Sequence, residues 1–401
     1  MTSPDLAMPR VFEVRLPALV IGVAACAICA IALFFDPLHA LRGYLIGWLF
    51  CLGISVGAMS ILMMHHLTGG AWGWLIRRPA ESAAITIPLL AILFIPIAIG
   101  AKYLFPWASS AAAASSVLVR HRTPFFHSSL TLFRAVVFFV LWSFWAWRLH
   151  ALSLEHDRTL DPSIASKLRR YSAGGLVLVF ITMSLAGFDW IASREIDWYS
   201  STFGLALIVG QGVAGTAFLI VMLQLLRDAP RVNAAIAEKN RFHDLGNLLL
   251  TVVVLWAYIS FAQLLVIWMG NMQDDITWFY HRTHRGWKFV AVLLITVHFG
   301  LPFILLLFQG SKRNLRVLAT IAGGLLVMRA IDVLWMVVPS NGGQTPRAIH
   351  WLDPVGIVGV CGIWFAVFLT LLKRHPLIPL GFERAIEIVP YGRAAQRQPA
   401  A

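Results

Sequence analysis

The sequence predicts an all-α polytopic membrane protein, with ten transmembrane helices arranged as two four-helix bundles plus two peripheral helices. Three observations carry that prediction. The chain of 401 residues is 59% hydrophobic and only 13% charged, with a mean hydropathy of +0.76, whereas a soluble chain of this length needs a far larger charged surface. Ten separate apolar runs reach the length of about 20 residues that a bilayer-spanning helix requires, and each is too long and too uniformly apolar for an alternating barrel strand. Finally, polar residues recur at matching places in runs two to five and six to nine, which is the signature of two related four-helix units flanked by runs one and ten.

The runs cover residues 16–35, 43–67, 83–105, 125–147, 172–192, 201–226, 246–269, 288–308, 315–338 and 354–373. The first reads as a retained span, because no small-x-small cleavage site precedes the loop "FFDPLHALRG". Its Cys26-x-x-Cys29 pair has no second pair to complete a metal or cluster site, so the cysteines read as small packing residues. Run two carries Gly43, Gly47, Gly53 and Gly57, a small-residue seam for close helix approach, and ends at His65 and His66. Adjacent histidines on a helix point in different directions and cannot share one metal in the usual way. Run four holds Arg134. Run five ends "LAGFDWIAS" with Asp189, followed by Glu195 and Asp197 in the next loop. Run six contains "GQGVAG" at 210–215, with Gln211 at depth. Run seven adds Tyr258 and Gln263. Run eight places His298 halfway along, before Pro302, whose missing N–H frees a backbone carbonyl. Run nine reads "MRAIDVLWM", with Arg329 and Asp332 three residues apart and so on one face.

Twenty-one of the 32 lysines and arginines fall on the N-terminus and every second loop, and nine on the other loops. The positive-inside rule then puts both termini in the cytoplasm, in agreement with an even number of spans. The same alternation disposes of a nucleic-acid reading of the +13 net charge. It assigns Arg77 and Arg78 to a cytoplasmic loop, and Arg42, Arg194 and Arg282 to loops on the opposite side. The connection "NMQDDITWFYHRTHRGW" reads as a headgroup-layer loop. Residues 1–15 form the N-terminus, 16–373 the membrane domain with bundles at about 43–192 and 201–338, and 374–401 a C-terminal tail.

An ionisable group at the bilayer centre costs roughly 2.5–3.5 kcal/mol on insertion scales. Arg329 and Asp332 therefore read in three ways: a buried salt bridge pinning run nine, a proton-relay or quinone-head site, or a pair snorkelling to the nearer surface. His298 reads as a hydrogen-bonded packing residue or as a relay, since imidazole titrates near neutral pH. As the one histidine at mid-depth, it lacks the facing partner that a haem pair needs. The residues leave three functions open: a proton- or quinone-handling subunit, a ten-helix secondary transporter, and a structural anchor without chemistry of its own.

The stretch "RFHDLGNLLLTVVVLWAYISFAQLLVIWMGN" (241–271) resembles the core of the NrfD-like integral membrane subunits of alternative complex III, the quinol:cytochrome c oxidoreductase, and of its two such subunits is more similar to the second, the ActF type. "HHLTGGAWGW" (65–74), "FDWIASREIDWYSSTFG" (188–204), "WLDPVGIVGVCGIWFAVFL" (351–369) and "HPLIPL" (375–380) agree, so the resemblance runs from the second helix to the C-terminus. The loop "GQTPRAIH" (343–350) departs from it, being short and basic. The resemblance implies two four-helix bundles with two peripheral helices, in a respiratory electron-transport complex of the cell inner membrane. It implies no redox centre, cofactor or metal held by this chain, with haem c and iron–sulfur clusters on partner subunits beside a second NrfD-like subunit. It implies quinone binding, proton translocation or assembly as the role, without choosing among them. A proton path would enter near His65 and His66 and leave by Asp332 or Asp189.

Overall fold

The computed structural model describes residues 9–108, 125–159, 161–195, 198–236, 240–271, 273–340 and 347–379. The expected C-terminal tail beyond Pro379, the first half of the "GQTPRAIH" loop and Asp197 lie outside the described residues. Ten helices are long and apolar enough to cross a membrane: α1 (Arg10–Ala32), α2 (Pro37–Thr68), α3 (Ala71–Ile99), α4 (Ser128–Thr159), α5 (Pro162–Arg194), α6 (Phe203–Leu225), α7 (Phe242–Gly270), α8 (Trp287–Leu307), α9 (Leu315–Val337) and α10 (Leu352–Leu372). Among the described residues there is no strand.

Local chemistry sets where several helices begin. Asp36 caps α2, its carboxylate accepting the His39 N–H, and Pro37 takes the first turn, where an N–H would be unpaired anyway. Asp161 and Pro162 open α5 in the same way, with the Asp161 carboxylate accepting the Ser163 N–H. Asn314 caps α9 through the N–H groups of Arg316 and Val317. Gly69 and Gly70, at φ of 71° and 97°, turn the chain from α2 into α3 in a region closed to most side chains. Helix α8 passes through a π-helical stretch at Leu294–Gly300 just before Pro302. That proline removes an i→i−4 donor, and the wider π turn accommodates the gap.

Helices α2, α3, α4 and α5 close one ring of neighbours, and α6, α7, α8 and α9 close the other. The inner helices α2 and α6 pack on each other, α5 touches α6, and α9 touches α2, so the two bundles meet through equivalent elements. Helices α1 and α10 pair and lie together against α2.

The glycine seam of α2 serves two partners. A Cβ on Gly57 would run into the Gln211 carbonyl, and one on Gly215 into the Gly57 backbone, so α2 and α6 cross backbone to backbone. About four turns earlier, Gly43 meets the backbone at Leu352 and Asp353, and Gly356 meets Gly43, which joins α2 to α10. Such approach replaces the hydrophobic driving force that lipid denies to membrane helices.

Helices α3, α4 and α5 extend beyond the apolar runs that announced them. The runs stop at charged residues, whereas α3 and α4 continue because Arg77, Arg78, Glu81 and Asp157 satisfy one another inside the protein, and α5 begins earlier with Lys167, Arg169 and Arg170 exposed. Arg77 and Arg78 are therefore not loop cations: both are buried in α3. Arg42, Arg194 and Arg282 are likewise fully buried rather than displayed on loops. The segment read as a headgroup-layer loop forms a helix, Gln273–Thr283, whose Trp278 stacks on Trp198 at 4.1 Å.

Candidate functional site

Among the described residues, each bundle holds one Arg–Asp pair in the half of the membrane away from Arg10 and Leu372. In the α6–α9 bundle, Arg329 and Asp332 pair one turn apart on α9, both almost fully buried. Gly210 makes room for the pair, since a Cβ there would collide with the Arg329 guanidinium. The "GQG" of α6 is thus more than a packing seam. The Trp256 indole of α7 is near enough to Asp332 to act on its carboxylate. The same ring lies 4.3 Å from the His298 ring, at 56°. Trp256 therefore bridges His298 and Asp332, and sequence reasoning missed it because a tryptophan in a run of apolar residues carries no polar signal.

His298 has no exposed surface, and neither ring nitrogen has a hydrogen-bond partner. A buried polar atom without a partner costs about 1–3 kcal/mol, and a lone ordered water between such groups is the usual remedy. Arg329 is close enough to act on His298 electrostatically.

In the α2–α5 bundle, Arg134 of α4 grips Asp189 of α5 through two bonds, Nε to Oδ2 at 2.8 Å and Nη2 to Oδ1 at 2.6 Å. Asp189 is fully buried. Arg134 also donates to the Phe125 carbonyl and the Thr131 hydroxyl. The structure so joins two residues that the sequence offered separately. Beside the pair opens a cavity of about 500 Å³, lined by Phe125, Phe126, Phe188, Ala192, Ser193, Trp198 and Tyr199.

A third polar cluster closes the opposite end of this bundle. Glu81 of α3 pairs with Arg77 at 3.1 Å and Arg78 at 2.6 Å, and accepts the Ser153 hydroxyl of α4. Arg78 also pairs with Asp157, and the His150 ring lies 3.4 Å from Glu81. His65 and His66 sit at its margin. His65 is buried against Trp72 and Trp74, and Nδ1 of His66 lies 2.9 Å from the Ser172 hydroxyl. Along α4, Arg134 and Ser153 are 19 residues apart, or about 28 Å at ~1.5 Å per residue, close to the hydrocarbon thickness. Between the two polar layers stand Trp48, Phe94, Phe139, Trp142 and Trp190 in mutual ring contact.

The remaining candidates lie apart. Gln211 is buried at the α2–α6 crossing, where its amide reaches only the Met183 sulfur at 3.9 Å. Gln263 is buried on α7 without a partner for its amide nitrogen. Tyr258 is 65% exposed on the outer face of α7, away from both ion pairs.

On the side of the membrane away from the termini, the buried cations bind carbonyls and carboxylates that tie loops to helix ends. Arg42 pairs with Asp353 through two bonds, at 2.9 and 2.7 Å. Arg194 donates to the carbonyls of Leu104, Val337 and Ser340. Arg282 donates to Trp278 and Met336 carbonyls and to the Ser340 hydroxyl, with its guanidinium over the Trp278 ring. Burial pushes the Arg282 guanidinium down to about 9, with the nearby Glu195 carboxylate opposing. Glu195 itself meets His281 Nδ1 at 2.5 Å.

The fold and these sites define a multi-pass membrane protein with ion pairs buried inside two helical bundles. No family model matches the chain, and no curated protein matches it.

Proposed function

We propose that the chain is an integral membrane subunit of a quinol:electron-acceptor oxidoreductase of the NrfD-like, alternative complex III kind, and that its buried ion pairs handle the protons of the quinone reaction. In this reading it sits in the cell inner membrane with both termini cytoplasmic, beside a second NrfD-like subunit and subunits that carry haem c and iron–sulfur clusters. The observation that carries the reading is the pairing of the two bundles: each holds a buried Arg–Asp pair at an equivalent place, and one of the pairs is bonded to Phe125 and Ser193, which line an aromatic cavity. A volume of about 500 Å³ is in the range of small-molecule sites, and aromatic walls suit a planar ring headgroup. The sequence resemblance supports the same class.

A bound quinol supplies two electrons to partner subunits and two protons to groups of this chain. Asp189, held in place by Arg134, is the acceptor nearest the cavity. Asp332, with Trp256 and His298 beside it, forms the corresponding station in the second bundle, and the imidazole is the group there able both to take and to give a proton. The rings between Arg134 and Glu81 carry no ionisable group, so a proton crossing the α2–α5 bundle directly meets no titratable carrier among them. The Arg77–Arg78–Glu81 cluster is then a gate at the cytoplasmic end rather than part of one continuous wire.

The test is turnover and proton release in the purified, assembled complex carrying Asp332→Asn or Asp189→Asn, with haem and subunit content measured in the same sample. The expected result is full assembly with proton release or quinol oxidation lost. Normal values for both reduce the pairs to structural salt bridges. A chain that purifies alone and moves a solute across vesicles identifies a secondary transporter instead.

A further inference from the structure

The turn between α1 and α2 and the lead-in to α10 bring together three groups that none of the ion pairs above uses. Asp36 and His39 come from the first turn of α2, and His350 comes from 311 positions further along than His39. Nδ1 of His39 lies 2.7 and 2.9 Å from the two Asp36 carboxylate oxygens. Nε2 of His350 lies 4.0 Å from Asp36 Oδ2. The two imidazole rings are 4.3 Å apart and 27° from parallel. One ligand atom from each of the three residues falls within 4.8 Å of the other two.

We propose that Asp36, His39 and His350 form a binding site for a divalent transition-metal ion of the zinc class. Two imidazoles and one carboxylate are a donor set that suits zinc, nickel or copper and is poor for magnesium or calcium, which take oxygen ligands. Tetrahedral zinc with ligands at about 2.0–2.2 Å holds its donor atoms roughly 3.3 Å apart. The present spacing brackets that figure, so a small opening of the His39–Asp36 contact and a small closing of His350 suffice. The ion takes the place of the proton now shared between His39 Nδ1 and Asp36. To ligate through Nε2, His350 turns its Nδ1 into a donor and gives up the long 3.4 Å bond from the Leu352 N–H.

The frame behind the ligands is rigid, as a metal site requires. Asp36 is held as the helix cap of α2. The His350 N–H donates to Asp353 Oδ2 at 2.8 Å, and Asp353 is itself fixed by the fully buried Arg42 of α2. The three side chains are between 25% and 37% exposed, which leaves an open position for a water. Arg347 acts on Asp36 electrostatically and opposes a cation there, which lowers affinity without removing a ligand. The ion would clamp the peripheral pair α1–α10 to the central helix α2. The sequence reading passed over this site because it weighed only Cys26, Cys29, His65, His66 and His298 as ligands, and nothing in the order of residues joins His39 to His350.

The experiment uses the full-length chain in detergent, purified on a tag without histidines, stripped with a chelator and titrated with Zn2+. One Zn2+ retained per chain is expected, together with a higher melting temperature. His350→Ala and Asp36→Asn are each expected to weaken binding by more than the about 10–100-fold that loss of an outer partner costs. Asn keeps a capping oxygen at position 36, so that variant separates ligation from folding. His284→Ala, an exposed histidine outside the site, leaves binding unchanged. Co2+ in place of Zn2+ gives the visible absorption of a four-coordinate ion in the unsubstituted chain and loses it in His39→Ala. Retention of one Zn2+ with unaltered affinity in His350→Ala overturns the site, and so does binding by the unsubstituted chain no tighter than by the His39→Ala/His350→Ala double variant.

Discussion

At the scale of single residues, a buried charge is tolerable here only in company. Arg329 and Asp332 have each other, Trp256 and the space at Gly210. Removing one partner strands the other in a medium that does not solvate it. Arg329→Leu is therefore expected to destabilise the chain by about 3–5 kcal/mol. Replacing both, as Arg329→Met with Asp332→Leu, is expected to recover most of that loss, because apolar substitutes for a buried pair are often neutral or better. Denaturation of the chain in mixed micelles measures both. An additive result, with the double variant worse than either single one, would show that the pair contributes net stability. Tyr258 provides the contrast. Its ring lies on the outer face of α7, so Tyr258→Phe is expected to change stability by no more than about 0.5 kcal/mol and to leave turnover of the complex unaltered.

At the scale of helices, what matters is where backbones touch. Gly215 meets the Gly57 backbone directly, whereas nothing lies within 4 Å of a Cβ on Gly324. The same change has opposite expected signs at the two positions. Gly324→Ala gains up to about 1 kcal/mol of helix propensity with no clash. Gly215→Ala forces α2 and α6 apart, and overpacking of this kind costs about 1–3 kcal/mol. Thermal unfolding of the two variants side by side reads the difference, and equal effects would mean that the crossing yields freely. The lengths of α3 and α4 follow from the same logic. A guanidinium inside a helix ends an apolar run in the sequence but not the helix itself, provided a neighbouring helix brings a carboxylate, as α4 brings Asp157 to Arg78.

At the scale of the whole molecule, two four-helix rings meet through their first helices, and each repeat has an even number of spans, so equivalent groups lie on the same side of the membrane. Asp189 and Asp332 are such a pair by position, yet their cations differ in origin: Arg134 comes from a second helix, and Arg329 from the same helix as its carboxylate. The cation excess on alternate loops leads to a topological expectation. A membrane-impermeant maleimide applied to intact cells should label Tyr199→Cys and leave Glu155→Cys untouched, both positions being exposed at opposite ends of the helices. The four native cysteines all lie within spans and give little background. The reverse pattern would invert the proposed orientation.

The sequence by itself determined the class, the number of spans and one local pair. Hydropathy over about 20 residues is a property of contiguous chain, and Arg329 and Asp332 meet because a helix returns to the same face every three to four residues. The matching places of Asp189 and Asp332 were legible too, as an echo between two stretches. Tertiary structure alone decided the rest. It alone gave Arg134 to Asp189, Trp256 to both His298 and Asp332, Arg42 to Asp353, and His350 to the Asp36–His39 turn. It also moved five arginines from loops to the interior. The physical reason is the same in each case. Whether a charge near a helix end faces water or protein depends on which other helix lies beside it, and that neighbour is tens to hundreds of residues away along the chain.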